Sequence, residues 1–227
     1  SKEQYFARAQ DVFIKNNWSL RTYVDYFYEE ILNRGFPRMP YYETAFDDNY
    51  HTWRNCFGID FTAKVRDKNL NILLSYNKYK RIKNTFYNNL TILEEVLSDN
   101  ESDQDTSLFN SMMSRGSLGG MFLDHLSAEI GYDVKIDQAT GKRVENNTQN
   151  QGDFALYSNM EWSPIEKLTF RPGVRWSYNT DYHAPIIPSI HIKYEYRDFK
   201  LRSSFAQGFR SPDLKELYFE LVDINHN

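Results

Sequence analysis

Leu168-Thr169-Phe170-Arg171-Pro172-Gly173-Val174-Arg175-Trp176-Ser177-Tyr178 decides the fold, because apolar residues stand at every second position and polar or small ones between them. Successive side chains of a strand point to opposite faces, so this stretch has one greasy face and one wet face. The pattern repeats in Ile186, Pro188, Ile190, Ile192, Tyr194 and Tyr196, set against Ile187, Ser189, His191, Lys193, Glu195 and Arg197. After a tight connection at Arg197-Asp198 it resumes with Leu201, Ser203 and Phe205, alternating with Lys200, Arg202 and Ser204.

Outward from this stretch the composition is consistent with long strands. The 227 residues hold 16% aromatics against 10 Gly and 7 Pro, which suits an undivided β domain better than a string of small modules. A net charge of -4 argues against a nucleic-acid footprint, so no nucleic-acid partner is expected. The single cysteine, Cys56, excludes an internal disulfide framework and reads as a packed thiol. No window approaches the ~18 apolar residues of a spanning helix, but a spanning strand needs only ~9 to 11 alternating residues. The start at Ser1 runs straight into strand-like sequence and reads as part of a longer chain.

About ten strands can be traced, in an antiparallel up-and-down meander. Strands at 4–15 and 17–31 meet at Asn16-Asn17, and strands at 57–65 and 70–76 meet at Arg66-Asp67-Lys68-Asn69. A turn is expected at 114–117 between strands at 106–114 and 118–135, and another at 163–167. Long connections fall at 32–50, 84–105 and 136–151, the second with a helical candidate at 90–97 and an acidic tip from Asp99 to Asp105. Short and long connections therefore alternate, which places every long loop on one side, as in spanning barrels of the outer-membrane type. Trp18, Trp162, Trp176, Tyr178, Tyr194 and Tyr196 sit near strand ends on the apolar face, where an aromatic girdle belongs.

The segment Leu201 to Tyr218 (LRSSFAQGFRSPDLKELY), with Arg171-Pro172-Gly173-Val174-Arg175 and Ala184-Pro185-Ile186-Ile187-Pro188-Ser189 before it, resembles the TonB-dependent outer-membrane receptors, particularly of the Bacteroidetes type. The likeness is good over 152–227; Tyr50-His51-Thr52-Trp53-Arg54, Tyr79 to Thr85 and Gln104-Asp105-Thr106 carry it more weakly. The resemblance implies a 22-stranded barrel filled by a plug, in the outer membrane, taking up a metal chelate with energy passed through the TonB system. It makes residues 1–227 an interior section of such a barrel, without the plug and the C-terminal strands. Such a section has two sheet edges to cover, through loops or another copy.

Phe209-Arg210-Ser211-Pro212 is similar to a box of haem receptors in that family, where a downstream histidine ligates iron; His226 stands in that position here. Haem would then be transported cargo and not a resident cofactor. Arg171, Arg175, Lys193, Lys200, Arg202 and Arg210 share the polar register of neighbouring strands, so Arg171, Arg175, Lys193 and Arg202 are candidates to face a lumen. Asp99 to Asp105 lacks the glycine and terminal glutamate of a calcium loop, and no metal site is expected. Nothing has the spacing of a nucleophile elbow or phosphate loop, so no enzyme activity is expected. The competing reading is a secreted soluble β-sheet module that binds ligands such as glycans, with Tyr41, Tyr42 and Tyr87 stacking on sugar rings. The two readings divide on the apolar face: a membrane section leaves it bare in one continuous band, whereas a soluble module covers it with a second sheet.

Overall fold

The computed structural model describes residues 1–100 and 103–218. Eleven strands make one antiparallel sheet: β1 (Lys2–Lys15), β2 (Trp18–Asn33), β3 (Thr44–Val65), β4 (Lys68–Asn89), β5 (Glu94–Leu97), β6 (Asp105–Leu123), β7 (Leu126–Thr140), β8 (Thr148–Ile165), β9 (Leu168–Asn179), β10 (Ile187–Tyr196) and β11 (Phe199–Ala206). Strand order follows the sequence except that the short β5 pairs beside β6 on the loop end of β4. The sheet does not close: β1 and β11 each have one paired edge among the described residues. A five-residue helix, α1 (Leu214–Tyr218), follows the last strand.

The expected meander and its loop asymmetry are present. Two-residue turns join β1 to β2, β3 to β4, β6 to β7, β8 to β9 and β10 to β11, all at one end. Arg66, His125 and Arg197 take positive φ in three of them, the backbone cost of reversing a twisted strand pair in so few residues. All longer connections lie at the other end.

Three expectations are corrected. No turn falls at 114–117; β6 runs through it and reverses at Asp124-His125. Gly116 suggested the turn, yet its missing side chain is used across the ladder, where an added Cβ would stand 2.3 Å from the Tyr132 ring. The helical candidate at 90–97 is instead a tight turn followed by β5, because Val96 and Leu97 find partners in Tyr87 and Phe86. The long connections are also shorter than expected, since β3 and β4 each reach 22 residues.

Strand register gives the tilt. The row Ala63, Leu70, Leu118, Ile130, Ser158, Val174, Pro188 begins two residues from the turn end of β3 and finishes eight residues from that of β10. A drift of about one residue per strand, at ~3.3 Å rise and ~4.8 Å spacing, tilts the strands by roughly 35°, as in spanning barrels. At that tilt β3 and β4 rise about 60 Å, twice the ~30 Å of a bilayer's hydrocarbon core.

One face of the sheet is an apolar band. Phe57, Ile59 and Phe61 on β3 stand beside Tyr76, Leu74 and Ile72 on β4, and the band continues through Leu118, Ile130, Val134, Leu156, Trp176, Ile190 and Phe205. Among the described residues nothing covers it: Ile130 is 60% exposed, Leu156 55% and Trp176 54%, and no large side chain there is fully buried. A soluble sandwich requires a second sheet there. On the loop side the band stops at one row, Tyr26, Asn55, Lys78, Asn110, Gln138 and Asn150, where Asn110 donates to Gln138 at 3.1 Å and Gln138 to Asn150 at 3.0 Å. In β1 the alternation breaks, with Tyr5 and Phe13 on the band side and Phe6, Val12 and Ile14 on the other.

Candidate functional site

The opposite face is polar, and its turn half is a ladder of fixed charges. Arg115 donates to Asp133 at 2.8 Å and Arg175 reaches the same carboxylate at 3.4 Å; Arg8 pairs with Asp25, Arg21 with Asp60, and Lys135 with Asp137 at 2.6 Å. These pairs form because the period of two puts Asp133 and Arg115 opposite each other in adjacent strands, as it does Arg21 and Asp60. A trough of about 1000 Å³ runs along this half, lined among others by Asn71, Glu129, Asn159, Glu161, Arg171, His191, Lys193 and Arg202.

The candidate residues of the last three strands fall on this polar face. Arg171 is paired to Glu161 at 2.7 Å and Lys193 to Glu195 at 3.0 Å, and both line the trough with Arg202. Arg175 lines a smaller neighbouring recess of about 380 Å³. Cys56 also takes the polar register, half-buried between Asp25 and Asn77, while Phe57, Ile59 and Phe61 after it hold the apolar one.

Phe209, Arg210, Ser211 and Pro212 lie in one extended segment, with Phe209 and Ser211 both beside Tyr182. They begin a strap that leaves β11 and returns to β7 and β8. Phe209 packs on Tyr182 with ring centroids 6.0 Å apart, Arg210 is paired to Glu216, Ser211 is exposed, and the Pro212 carbonyl accepts from Gln151 at 3.5 Å. α1 then starts with a reciprocal cap: Asp213 accepts from the Glu216 amide at 2.9 Å and Glu216 from the Asp213 amide at 3.2 Å. Leu214 anchors the strap, 5% exposed against Ala139 and Val144, and Tyr218 donates to Asp181 at 2.9 Å. That hydrogen bond, with some burial, holds the Tyr218 phenol above its ordinary pKa. His226 lies outside the described residues.

The loop half of the polar face carries a different arrangement, which the sequence reading passed over. The row Phe27, Arg54, Tyr79, Phe109 crosses β2, β3, β4 and β6, and the row beyond it contains Thr52 and Arg81. The Arg54 guanidinium lies 5.7 Å from the Phe27 ring centre and 5.8 Å from that of Tyr79, and Arg81 lies 4.4 Å from the Tyr50 ring. Here the two arginines rest on aromatic faces, while Lys83 beside them is paired to Asp48 at 3.1 Å. The signal was available: Tyr50-x-Thr52-x-Arg54 and Tyr79-x-Arg81-x-Lys83 each fall on one face, and pairing of β3 with β4 brings them together. Asp103, in the acidic tip beside them, is tied back, with Ser98 donating to its carboxylate at 2.6 Å and Thr85 to its carbonyl at 3.0 Å.

Comparison with known proteins bears on the whole chain. A family model described as TonB dependent receptor-like, beta-barrel matches residues 4–226. The siderophore receptor PirA from Pseudomonas aeruginosa matches in structure with a TM-score of 0.59 at 12% identity, over 93% of this chain and 40% of that one. A point mutant of the ferric enterobactin receptor PfeA, also from Pseudomonas aeruginosa, matches with a TM-score of 0.59 at 12% identity, over 95% of this chain and 43% of that one. The chain thus spans about two fifths of the length of each, and at such identity the likeness is one of fold. No curated protein matches it.

Proposed function

The chain belongs to the TonB-dependent receptor-like β-barrel family, and on that premise we propose that it is a wall section of an outer-membrane receptor that imports a scarce nutrient, a ferric siderophore, haem or cobalamin. The observation that carries the proposal is the bare apolar band backing a polar wall in one unclosed sheet, with every tight turn at one end. In this reading the band meets lipid, the tight turns face the periplasm and the long connections face outside. The polar wall is the lumen, and Arg171, Lys193 and Arg202 line a trough of about 1000 Å³ able to seat a plug through charge-assisted hydrogen bonds. Energy would reach the receptor from TonB through that plug. The strap from Phe209 to Tyr218 would steady the outer mouth. The motif likeness to receptors of the Bacteroidetes type, and a haem-ligating role for His226, belong to the same proposal.

The test is expression of the complete gene in a host lacking its own receptors, with growth scored on haem, a ferric siderophore or cobalamin as the limiting nutrient. Growth on one of them that disappears when TonB is deleted supports the receptor reading, and selective loss of haem use in His226→Ala supports the ligand role. A protein recovered soluble from the medium, with growth on none of the three, overturns the receptor.

A further inference from the structure

The two arginines of the loop half differ from most arginines of the wall, Arg202 excepted, which faces Lys193 and likewise has no carboxylate within 4 Å among the described residues. Arg54 and Arg81 are diagonal neighbours on β3 and β4, ~7–8 Å apart at the backbone. Among the described residues no carboxylate lies within 4 Å of either, whereas Arg8, Arg21, Arg115, Arg171 and Arg175 each have one. Carboxylates on the surrounding positions are engaged elsewhere: Glu29 by Lys2 and Gln4, Asp48 by Lys83 and Thr85, Asp105 by Ser107. Two like charges are thus held side by side, both exposed, against the rings of Phe27, Tyr79 and Tyr50. Both sit at or beyond the level of Asn55 and Lys78 on the same strands, where the lipid-side band ends. They therefore stand on the outer side of the membrane core, on the inward wall.

We propose that Arg54 and Arg81 form a subsite for an anionic chelate carrying aromatic rings, the guanidiniums pairing with its oxygens and the rings of Tyr79, Tyr50 and Phe27 packing on its own. The inference rests on the receptor reading and narrows it, because neither a neutral chelate nor an aliphatic one uses what this wall offers. Guanidinium forks match paired oxygen acceptors, and a pair of arginines without counter-ions gains most from a ligand of charge below -1. An aromatic ring on the ligand adds a stacking partner that a simple anion lacks. The sequestered alternative, an acidic segment of the plug seated on the same arginines, is an outcome of the test.

The experiment uses the full receptor in detergent, with the trianionic tris complex of iron(III) and 2,3-dihydroxy-N,N-dimethylbenzamide as probe and neutral ferric trisacetohydroxamate as control, read by quenching of intrinsic fluorescence. The expected result is saturable binding of the catecholate that weakens with salt and falls about tenfold in each of Arg54→Gln and Arg81→Gln. Arg54→Lys should recover part of the loss, and the hydroxamate should bind weakly and alike in all forms. Folding of each variant is checked by the gel shift between unheated and heated samples. Equal affinity for both complexes, unchanged affinity in both glutamine variants, or no catecholate binding by the wild-type receptor overturns the subsite. Glutamine variants that unfold more easily without losing ligand would assign the arginines to the plug and overturn it too. TonB-dependent growth on a neutral cargo would sink the subsite while leaving the receptor standing, whereas a soluble, secreted protein would sink both.

Discussion

The two faces of this sheet are built from the same strands and obey opposite rules. Every lysine or arginine ion pair between strand residues lies on the polar face, from Lys2 and Glu29 on the first hairpin to Lys200 and Glu195 on the last. The other face carries Phe57, Leu74, Ile130, Leu156 and Trp176, bare and without a second layer. In a soluble protein the apolar face would be the core and the charged face the surface. In a barrel of this family the arrangement is the reverse, with the greasy side turned outward and the charged side inward.

The strongest way to break that comparison is to exchange one residue on each face. Ile130→Arg puts a cation in the middle of the band and should cost about 2–4 kcal/mol of receptor stability. Asn71→Arg, on the trough, should stay within about 0.5 kcal/mol. Urea titration of the reconstituted receptor, followed by the gel shift between folded and heated forms, separates the two. Equal costs would mean that the band does not face lipid.

A smaller effect tests the strap that crosses the mouth of the polar face. Leu214→Ala removes the side chain buried against Ala139 and Val144 and should weaken docking of α1 by about 2 kcal/mol. Asp213→Ala, which deletes the reciprocal cap, should cost about 1 kcal/mol. Trypsin cleavage at Lys215 reads both, because release of the strap exposes the bond without unfolding the sheet. Cleavage at the wild-type rate in both variants would show that the strap is held by something other than this cluster.

How far these faces could be read in advance depended on the strand. Between Leu168 and Phe205 the alternation is almost unbroken, so side, register and turn could all be taken from residue type. In β6, Ser114-Arg115-Gly116 looked like a turn because glycine usually marks reversal, whereas Gly116 makes room for the Tyr132 ring from the next strand. Contacts of that kind join residues sixteen apart in sequence and leave no local trace. The Arg54 and Arg81 wall was hidden for the same reason: its members are two motifs on separate strands that only pairing of β3 with β4 unites. The box around Phe209 was visible as a motif, but its role as an anchored strap depends on Gln151 and Ala139, far upstream.

Within the polar face, Asp133 is the residue whose loss should be felt next. It holds both Arg115 and Arg175, and its side chain is 13% exposed. Asp133→Asn leaves two guanidiniums facing a neutral amide. Their own exposure limits the loss to about 1–2 kcal/mol in urea titration. Neutralising Glu195, whose own side chain is 32% exposed, should be near neutral. A larger loss at Glu195 than at Asp133 would reverse the ranking of the two clusters.

The smallest expected effect is one of pH, and it lies in the strap, outside the strands. The Tyr218 phenol donates to Asp181, which raises its pKa above that of a free tyrosine, near 10. A group raised on folding contributes fully below the unfolded value, so docking of α1 gains from this bond throughout the neutral range. The gain fades as pH climbs through the raised value, because the phenolate cannot donate and repels the carboxylate. Tryptic cleavage at Lys215 should therefore quicken modestly above about pH 10, relative to a peptide substrate of the same protease. Tyr218→Phe should remove that extra dependence while cleaving slightly faster at neutral pH. If the variant keeps the alkaline increase, the pH response belongs to another group, such as Tyr182, whose phenol burial also pushes up.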